Sequence, residues 1–363
     1  MRKAIKAIVV TGFVLIIFIF INALAHNPSI KQKLEPISFD INESGAITHL
    51  SESIKFKTVS NQQATKKNIE EFKDFIGWLK INYKLVLKNT SLQTFNETLL
   101  FKWEGQDVSL KPILLTGHYD VVPVIPGTED KWKEPPFSGR VDSVYVWGRG
   151  ALDDKSGVIG ILEAVTYLME KGFKPTRTIY LSFGHDEEIG GVNGAALVAK
   201  YLSDNDIQLE WSLDEGSFLL GGFIPNVDKL VAAINVAEKG SVTMQVVGKA
   251  QGGHSSMPTS KSAVGHLSKA LAKLEDNRMP GGLEGLSLEM FDEMSKHMPF
   301  IYKIAFANRW LFGGLIDSYL SRVPMTNAML RTTTAPTMLS ASIKTNVLPI
   351  EAIGTVNFRI HPR

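Results

Sequence analysis

Four short acidic clusters, each closing an apolar run, hold the residues able to do chemistry: His118-Tyr119-Asp120, Asp153-Asp154, Asp186-Glu187-Glu188 and Asp214-Glu215. Imidazole and carboxylate donors gathered at strand ends are what a hydrolytic metal centre needs. The chain has no cysteine, which excludes disulfides, thiolate zinc sites and a lipid-modified N-terminal cysteine. His118 and Asp120 alternate in an extended segment, so their side chains share one side and the carboxylate is able to orient the imidazole. Asp153 ends a glycine-rich turn at a predicted helix start, where it either caps the helix or binds a cation. Gly148 and Gly150 also suggest a dinucleotide loop, but Asp153 occupies the third glycine position, and its charge would repel phosphate. Glu187 and Glu188 leave a strand in different directions, which allows one to bind metal while the other holds a proton. Asp214 follows another strand and opens into a glycine turn, as a ligand or a turn former.

The elements that must position these groups alternate along the chain. Apolar residues at helical spacing predict a helix from Asn68 to about Tyr83. Strands are expected at Leu110–Thr116, Val144–Trp147 and Thr178–Phe183, and helices at Ser156–Lys171 and Gly194–Leu202. This is the pattern of an α/β sheet with helices on both faces, and active sites in such sheets sit at the carboxyl ends of the strands. All four clusters fall at such ends.

The motifs Thr116-Gly117-His118-Tyr119-Asp120-Val121-Val122-Pro123, Gly148-Arg149-Gly150-Ala151 with Asp153, and Asp186-Glu187-Glu188 with Gly190-Gly191 occur in that order. From about Ser51 to Arg363 the chain resembles the dinuclear zinc peptidases and amidohydrolases related to aminoacylase, glutamate carboxypeptidase and succinyl-diaminopimelate desuccinylase, and within them the carboxypeptidase S branch. The resemblance implies two zinc ions per subunit, with His118 and Asp214 on one, Glu188 on the other and Asp153 bridging both. Cobalt or manganese would suit the same donors. Asp120 would orient His118, and Glu187 would be the general base that deprotonates the bridging water. The implied reaction is hydrolysis of peptides or N-acyl amino acids.

After about Ala237 the character changes. A strand is expected at Ser241–Val247, a glycine-rich turn around His254 and a helix at Ala263–Leu274. The resemblance makes this an inserted α+β lid and dimerisation domain, with His254, Asn346 and Arg359 as substrate contacts and a homodimer formed through the lid. Between its halves, residues 280–329 carry aromatic and aliphatic side chains at helical spacing and are expected to form a packed helical insert. A membrane-facing or acyl-chain-binding surface is the alternative for that stretch. The family's second zinc takes a further histidine from beyond the lid, so the C-terminal part of the catalytic domain is expected to lie past Arg363.

Composition fits a folded enzyme: 363 residues, 44% hydrophobic, with a net charge of +2 that gives no reason to expect nucleic acid. Arg2, Lys3 and Lys6 precede an apolar run to Ala25, and Ala23-Leu24-Ala25 offers a small-x-small cleavage site. The run is either a membrane anchor or an export signal, and both place the residues after His26 outside the cytoplasm. The expected plan is residues 1–25 as anchor or signal, 26–60 as an irregular stalk, 61–237 as the incomplete catalytic domain and 238–363 as the lid. A non-catalytic dimeric relative that only binds ligand is the alternative function, against which an intact Glu187 argues.

Overall fold

The computed structural model describes residues 1–28, 37–61, 69–216, 219–221 and 230–362. In chain order, the first elements are α1 (Arg2–Ala25), α2 (Glu43–Ile54), α3 (Ile69–Asn82), α4 (Lys84–Asn89), β1 (Ser91–Phe95), β2 (Thr98–Trp103) and β3 (Ile113–His118). Next come β4 (Arg140–Val141), β5 (Val146–Trp147), α5 (Lys155–Glu170), β6 (Ile179–Gly184), α6 (Ala195–Asp204) and β7 (Trp211–Leu213). The remainder begins with β8 (Leu219–Leu220), β9 (Val231–Ala232), β10 (Gly240–Lys249), β11 (Gly253–His254) and α7 (Ala263–Asp276). It continues with α8 (Gly285–Ser295), α9 (Phe300–Ala307), α10 (Arg309–Leu320), α11 (Pro324–Leu330), β12 (Thr333–Ser340), β13 (Val347–Leu348) and β14 (Glu351–Ile360). Contacts group these into two compact units, Glu35–Gly216, and Met1–Leu34 together with Ser217–Arg363.

The first unit is an α/β sandwich around a five-stranded mixed sheet, ordered β1-β2-β6-β3-β7. Strands β1, β2 and β6 pair antiparallel, whereas β3 runs parallel to both β6 and β7. The period of two in β2 decides which side chain goes to which face. Leu99, Phe101 and Trp103 join the main core with Phe72, Phe75 and Leu79 of α3 and Val158 and Leu162 of α5. Leu100 faces the other way, into a smaller core with Tyr180 of β6 and Val198 and Leu202 of α6. Helices therefore cover both faces, as the alternating pattern predicted. Because β3, β6 and β7 are parallel, His118, Gly184 and Leu213 end at one edge of the sheet, and the loops after them open there.

Two expectations are corrected. The strand expected at Val144–Trp147 is the two-residue β5, which pairs with β4 and stands outside the five-stranded sheet. The polar stretch expected as an irregular stalk contains α2, with Asn42 capping it through a bond from the Gly45 amide. Ser53, Ile54, Thr58 and Ser60 are buried. Ala46, Leu50 and Ile54 recur every four residues along α2, and this short stripe is covered by contact with α5, while Thr58 and Ser60 are covered at the strand end after β3.

The second unit holds a three-stranded antiparallel sheet, β10-β14-β12, with α7 packed on one face. Ala263, Leu267 and Leu271 of α7 meet Ala352 and Val356 of β14. Helices α8 to α11 enclose a separate small core of Phe291, Phe306, Ile316, Leu320 and Leu330.

Candidate metal centre

His118 is the hub. It is the last residue of β3 and is buried, yet its two ring nitrogens look in different directions. Nδ1 lies 3.0 Å from the Asp120 carbonyl oxygen and 3.3 Å from its carboxylate Oδ1. Nε2 faces three carboxylates, at 3.0 Å from Asp153 Oδ1, 3.2 Å from Glu215 Oε1 and 3.7 Å from Glu187 Oε2.

Asp120 ties the strand ends together. Its Oδ1 accepts the Glu187 amide at 3.1 Å, and its Oδ2 accepts the Glu188 amide at 3.2 Å and the Ser60 hydroxyl at 2.6 Å. A fully buried carboxylate held by these donors fixes the loop after β6 against the end of β3. Gly190, at φ 100°, then turns the chain out of that loop in the left-handed region that glycine adopts without strain.

The two aspartates at the start of α5 divide their work. Asp154 caps the helix, its Oδ1 accepting the Gly157 amide at 3.1 Å and its Oδ2 the His118 amide at 3.3 Å. Gly117 permits that approach, since a Cβ there would stand 2.7 Å from Asp154 Oδ2. Asp153 is left with its side chain mostly open to solvent and one oxygen toward His118. Lys155, fully buried, turns away from the cluster and donates to the Ser53 and Phe56 carbonyls, both at 2.7 Å, with its ammonium 5.4 Å from the centre of the Phe75 ring.

Crowding of negative charge shows in the acid strengths. Burial raises the Glu188 carboxyl, and the Asp153 charge adds to it, bringing it to about 7. Burial raises Glu187 as well. Asp154 is pushed up to about 7 by burial and then by Glu215. Burial alone would lower the His118 imidazole, but hydrogen bonds with Asp120 and Glu215 outweigh it and push it up to about 12. A cation among these groups would offset the repulsion between carboxylates and compete with protons for the same atoms.

The donors fit a borderline divalent ion. Two overlapping groups share the imidazole, His118 with Asp153 and Glu188, and His118 with Glu187 and Glu215. Within each group the donor atoms lie within 4.8 Å of one another. Nitrogen with oxygen donors suits zinc, cobalt or manganese. Asp214, at the end of β7, is exposed, and its Oδ1 accepts the amide of Glu215. The carboxylate that β7 brings to His118 is that of Glu215.

The expected substrate contacts lie in the second unit. His254 and Asn346 meet there because β11 pairs with β13, with Asn346 Nδ2 3.4 Å from His254 Nε2. Arg359 is exposed on β14, in register with Ser241 and Thr333. Sequence reasoning missed Ser60, whose polar surroundings give no signal, and Lys155. The helix cap that the sequence offered Asp153 falls to its neighbour Asp154.

Residues 114–309 match the profile described as peptidase family M20/M25/M40. A probable carboxypeptidase S-like 2 of Dictyostelium discoideum is 44% identical over 318 residues, covering 86% of this chain and 61% of its own length. An N-fatty-acyl-amino acid synthase/hydrolase PM20D1 of Xenopus tropicalis is 40% identical over 319 residues, with the same two coverages of 86% and 61%. Among solved structures, the M20 family metallo-carboxypeptidase Sso-CP2 of Sulfolobus solfataricus superposes with a TM-score of 0.58 at 20% identity, covering 88% of this chain and 71% of that one. The chain thus spans 61% of the length of these two curated relatives.

Proposed function

Because the chain belongs to peptidase family M20/M25/M40, we propose that the protein hydrolyses amide bonds of peptides, as a carboxypeptidase does, or of N-acyl amino acids. The observation that carries this reading is the buried carboxylate of Asp120, which faces His118 and also receives the amides of Glu187 and Glu188. It sets an imidazole and two neighbouring carboxylates in one frame. The names of the relatives, a carboxypeptidase S-like protein and an N-fatty-acyl-amino acid synthase/hydrolase, support the two substrate classes.

His118, Asp153 and Glu188 would hold zinc, with a further donor from Asp214 or Glu215 at the end of β7. When bound, the metal supplies Lewis acidity and makes water acidic enough to attack at neutral pH. Glu187 takes the proton from the attacking water and returns it to the leaving nitrogen; its carboxyl, raised by burial, is suited to both steps. Asp120 keeps His118 in one tautomer by facing Nδ1, which leaves Nε2 as the donor atom. Asp154 holds α5 against β3 so that Asp153 meets that nitrogen.

His254, Asn346 and Arg359 would contact the substrate, Arg359 pairing with a terminal carboxylate. The second unit would serve as lid and dimerisation domain, and α1 would anchor the protein in a membrane with the catalytic part outside the cytoplasm. Its 24 residues have a mean hydropathy of 2.8 over an 18-residue window, none of that window buried. The test is metal analysis of His118→Ala, which should lose bound zinc; full retention would contradict the assignment.

A further inference from the structure

The second unit contains an apolar helix pair that the hydrolytic reading leaves unused. Its small core accounts for only one side of α9 and α10. On the other side of α10, the exposed positions are Trp310, Leu311, Gly314, Leu315, Ser318 and Tyr319, a helical stripe without a single charge. Leu315 is 70% exposed and Trp310 60%, and Ile301 of α9 adds 68%. A stripe of this kind facing water would be costly.

What lies beside it identifies the cover. The end of α1 packs on α9 and on the α9–α10 elbow through Ile19, Asn22, Ala23 and His26, which recur at helical spacing on one face. Asn22 Nδ2 donates to Asn308 Oδ1 at 2.9 Å, and Asn308 Nδ2 donates to the Ile19 carbonyl at 3.1 Å. His26 Nε2 lies 2.7 Å from Ser295 Oγ, and Lys303 Nζ donates to Asn27 Oδ1 at 2.9 Å. Phe18 and Phe20 meet Trp310 and Phe300, with ring centroids 6.3 and 6.0 Å apart. The remainder of α1, from Arg2 to Ile17, is exposed apart from a half-buried Gly12.

Ile19 and Asn22 are six and three residues from the end of α1, which at 1.5 Å per residue places the elbow about 5 to 9 Å below that end. If α1 spans a bilayer, that depth is the outer headgroup and upper acyl region, where tryptophan and tyrosine settle. The two charged residues of α10 are engaged away from the stripe: Arg309 pairs with Asp292, and Asp317 with Arg331. We propose that the α9–α10 face is a monotopic docking surface that sits in the outer leaflet of the membrane crossed by α1, holding the second unit at a fixed depth beside its anchor. The inference rests on the reading of α1 as a membrane span.

These 363 residues contain no cysteine, so each introduced thiol is the sole one among them. In the full chain reconstituted in phosphatidylcholine vesicles, a nitroxide is attached in turn at Leu315→Cys, Ile301→Cys, Leu15→Cys in α1 and Thr259→Cys on an exposed loop. Relaxation by dissolved oxygen is compared with relaxation by a water-soluble nickel chelate. The proposal expects lipid-like ratios at 315, 301 and 15, several-fold above that at 259. A lipid-like 15 with water-like 301 and 315 overturns the docking surface and leaves the anchor standing; a water-like 15 overturns both. Shielding of 315 from both reagents means that a second copy covers the face, and a lipid-like 315 only after adding an N-acyl amino acid means that substrate does. Either result overturns the proposal.

Discussion

Asp120 holds four partners at once, the Glu187 and Glu188 amides, the Ser60 hydroxyl and the His118 ring, and its replacement distinguishes positioning from mere bulk. Asp120→Asn keeps the shape but turns one oxygen into a donor facing the backbone amides or the Ser60 hydroxyl that it now accepts. Loss of a group that orients a metal-binding histidine costs about 10- to 100-fold in metal affinity or activity. Chelator competition should therefore show weaker zinc binding in Asp120→Asn; unchanged affinity would remove Asp120 from the frame. At the end of β7, Asp214→Asn and Glu215→Gln should differ, and whichever loses zinc identifies the donor. Lys155→Met leaves the Ser53 and Phe56 carbonyls without their shared donor. Each unsatisfied buried group costs about 1–3 kcal/mol, so chemical denaturation should report a destabilisation of that order.

At the level of elements, the start of α5 is set by Asp154. Removing an N-cap costs about 1 kcal/mol, and Asp154→Ala would also release the His118 amide, so a thermal melt should show more than the loss of a surface cap. Asp154→Asn keeps one acceptor oxygen but turns the other into a donor facing an amide, so it should recover only part of it. Elements with a clear period were legible: β2 and β6 alternate between two cores, and α3 buries Phe72, Phe75 and Leu79 on one stripe. Helix α2 carries the same kind of signal in a shorter form, Ala46, Leu50 and Ile54 at a spacing of four, which the reading of that stretch as a stalk passed over. The candidate site shows the same division. His118, Asp120, Asp153, Glu187 and Glu188 stood out as acidic clusters at strand ends, whereas Ser60 and Lys155 matter only through contacts that no local pattern encodes.

For the whole molecule, the α/β class came from the order of elements; three of the clusters are gathered by parallel strands ending at one edge, and Asp153 joins them from the start of α5. The location rests on α1. Alkaline carbonate extraction should leave the full chain in the membrane pellet with Met1 retained, and a form starting at His26 should be released. Release of the full chain, or a mature N-terminus at His26, would replace the anchor with an export signal. The central claim, metal-assisted hydrolysis with Glu187 moving the proton, is met most directly by Glu187→Gln. Removal of a general base costs about 10²- to 10⁴-fold. In zinc-loaded full-length protein, hydrolysis of N-acyl amino acids and peptides should fall by that factor with zinc content unchanged. Undiminished turnover with zinc in place would contradict the account.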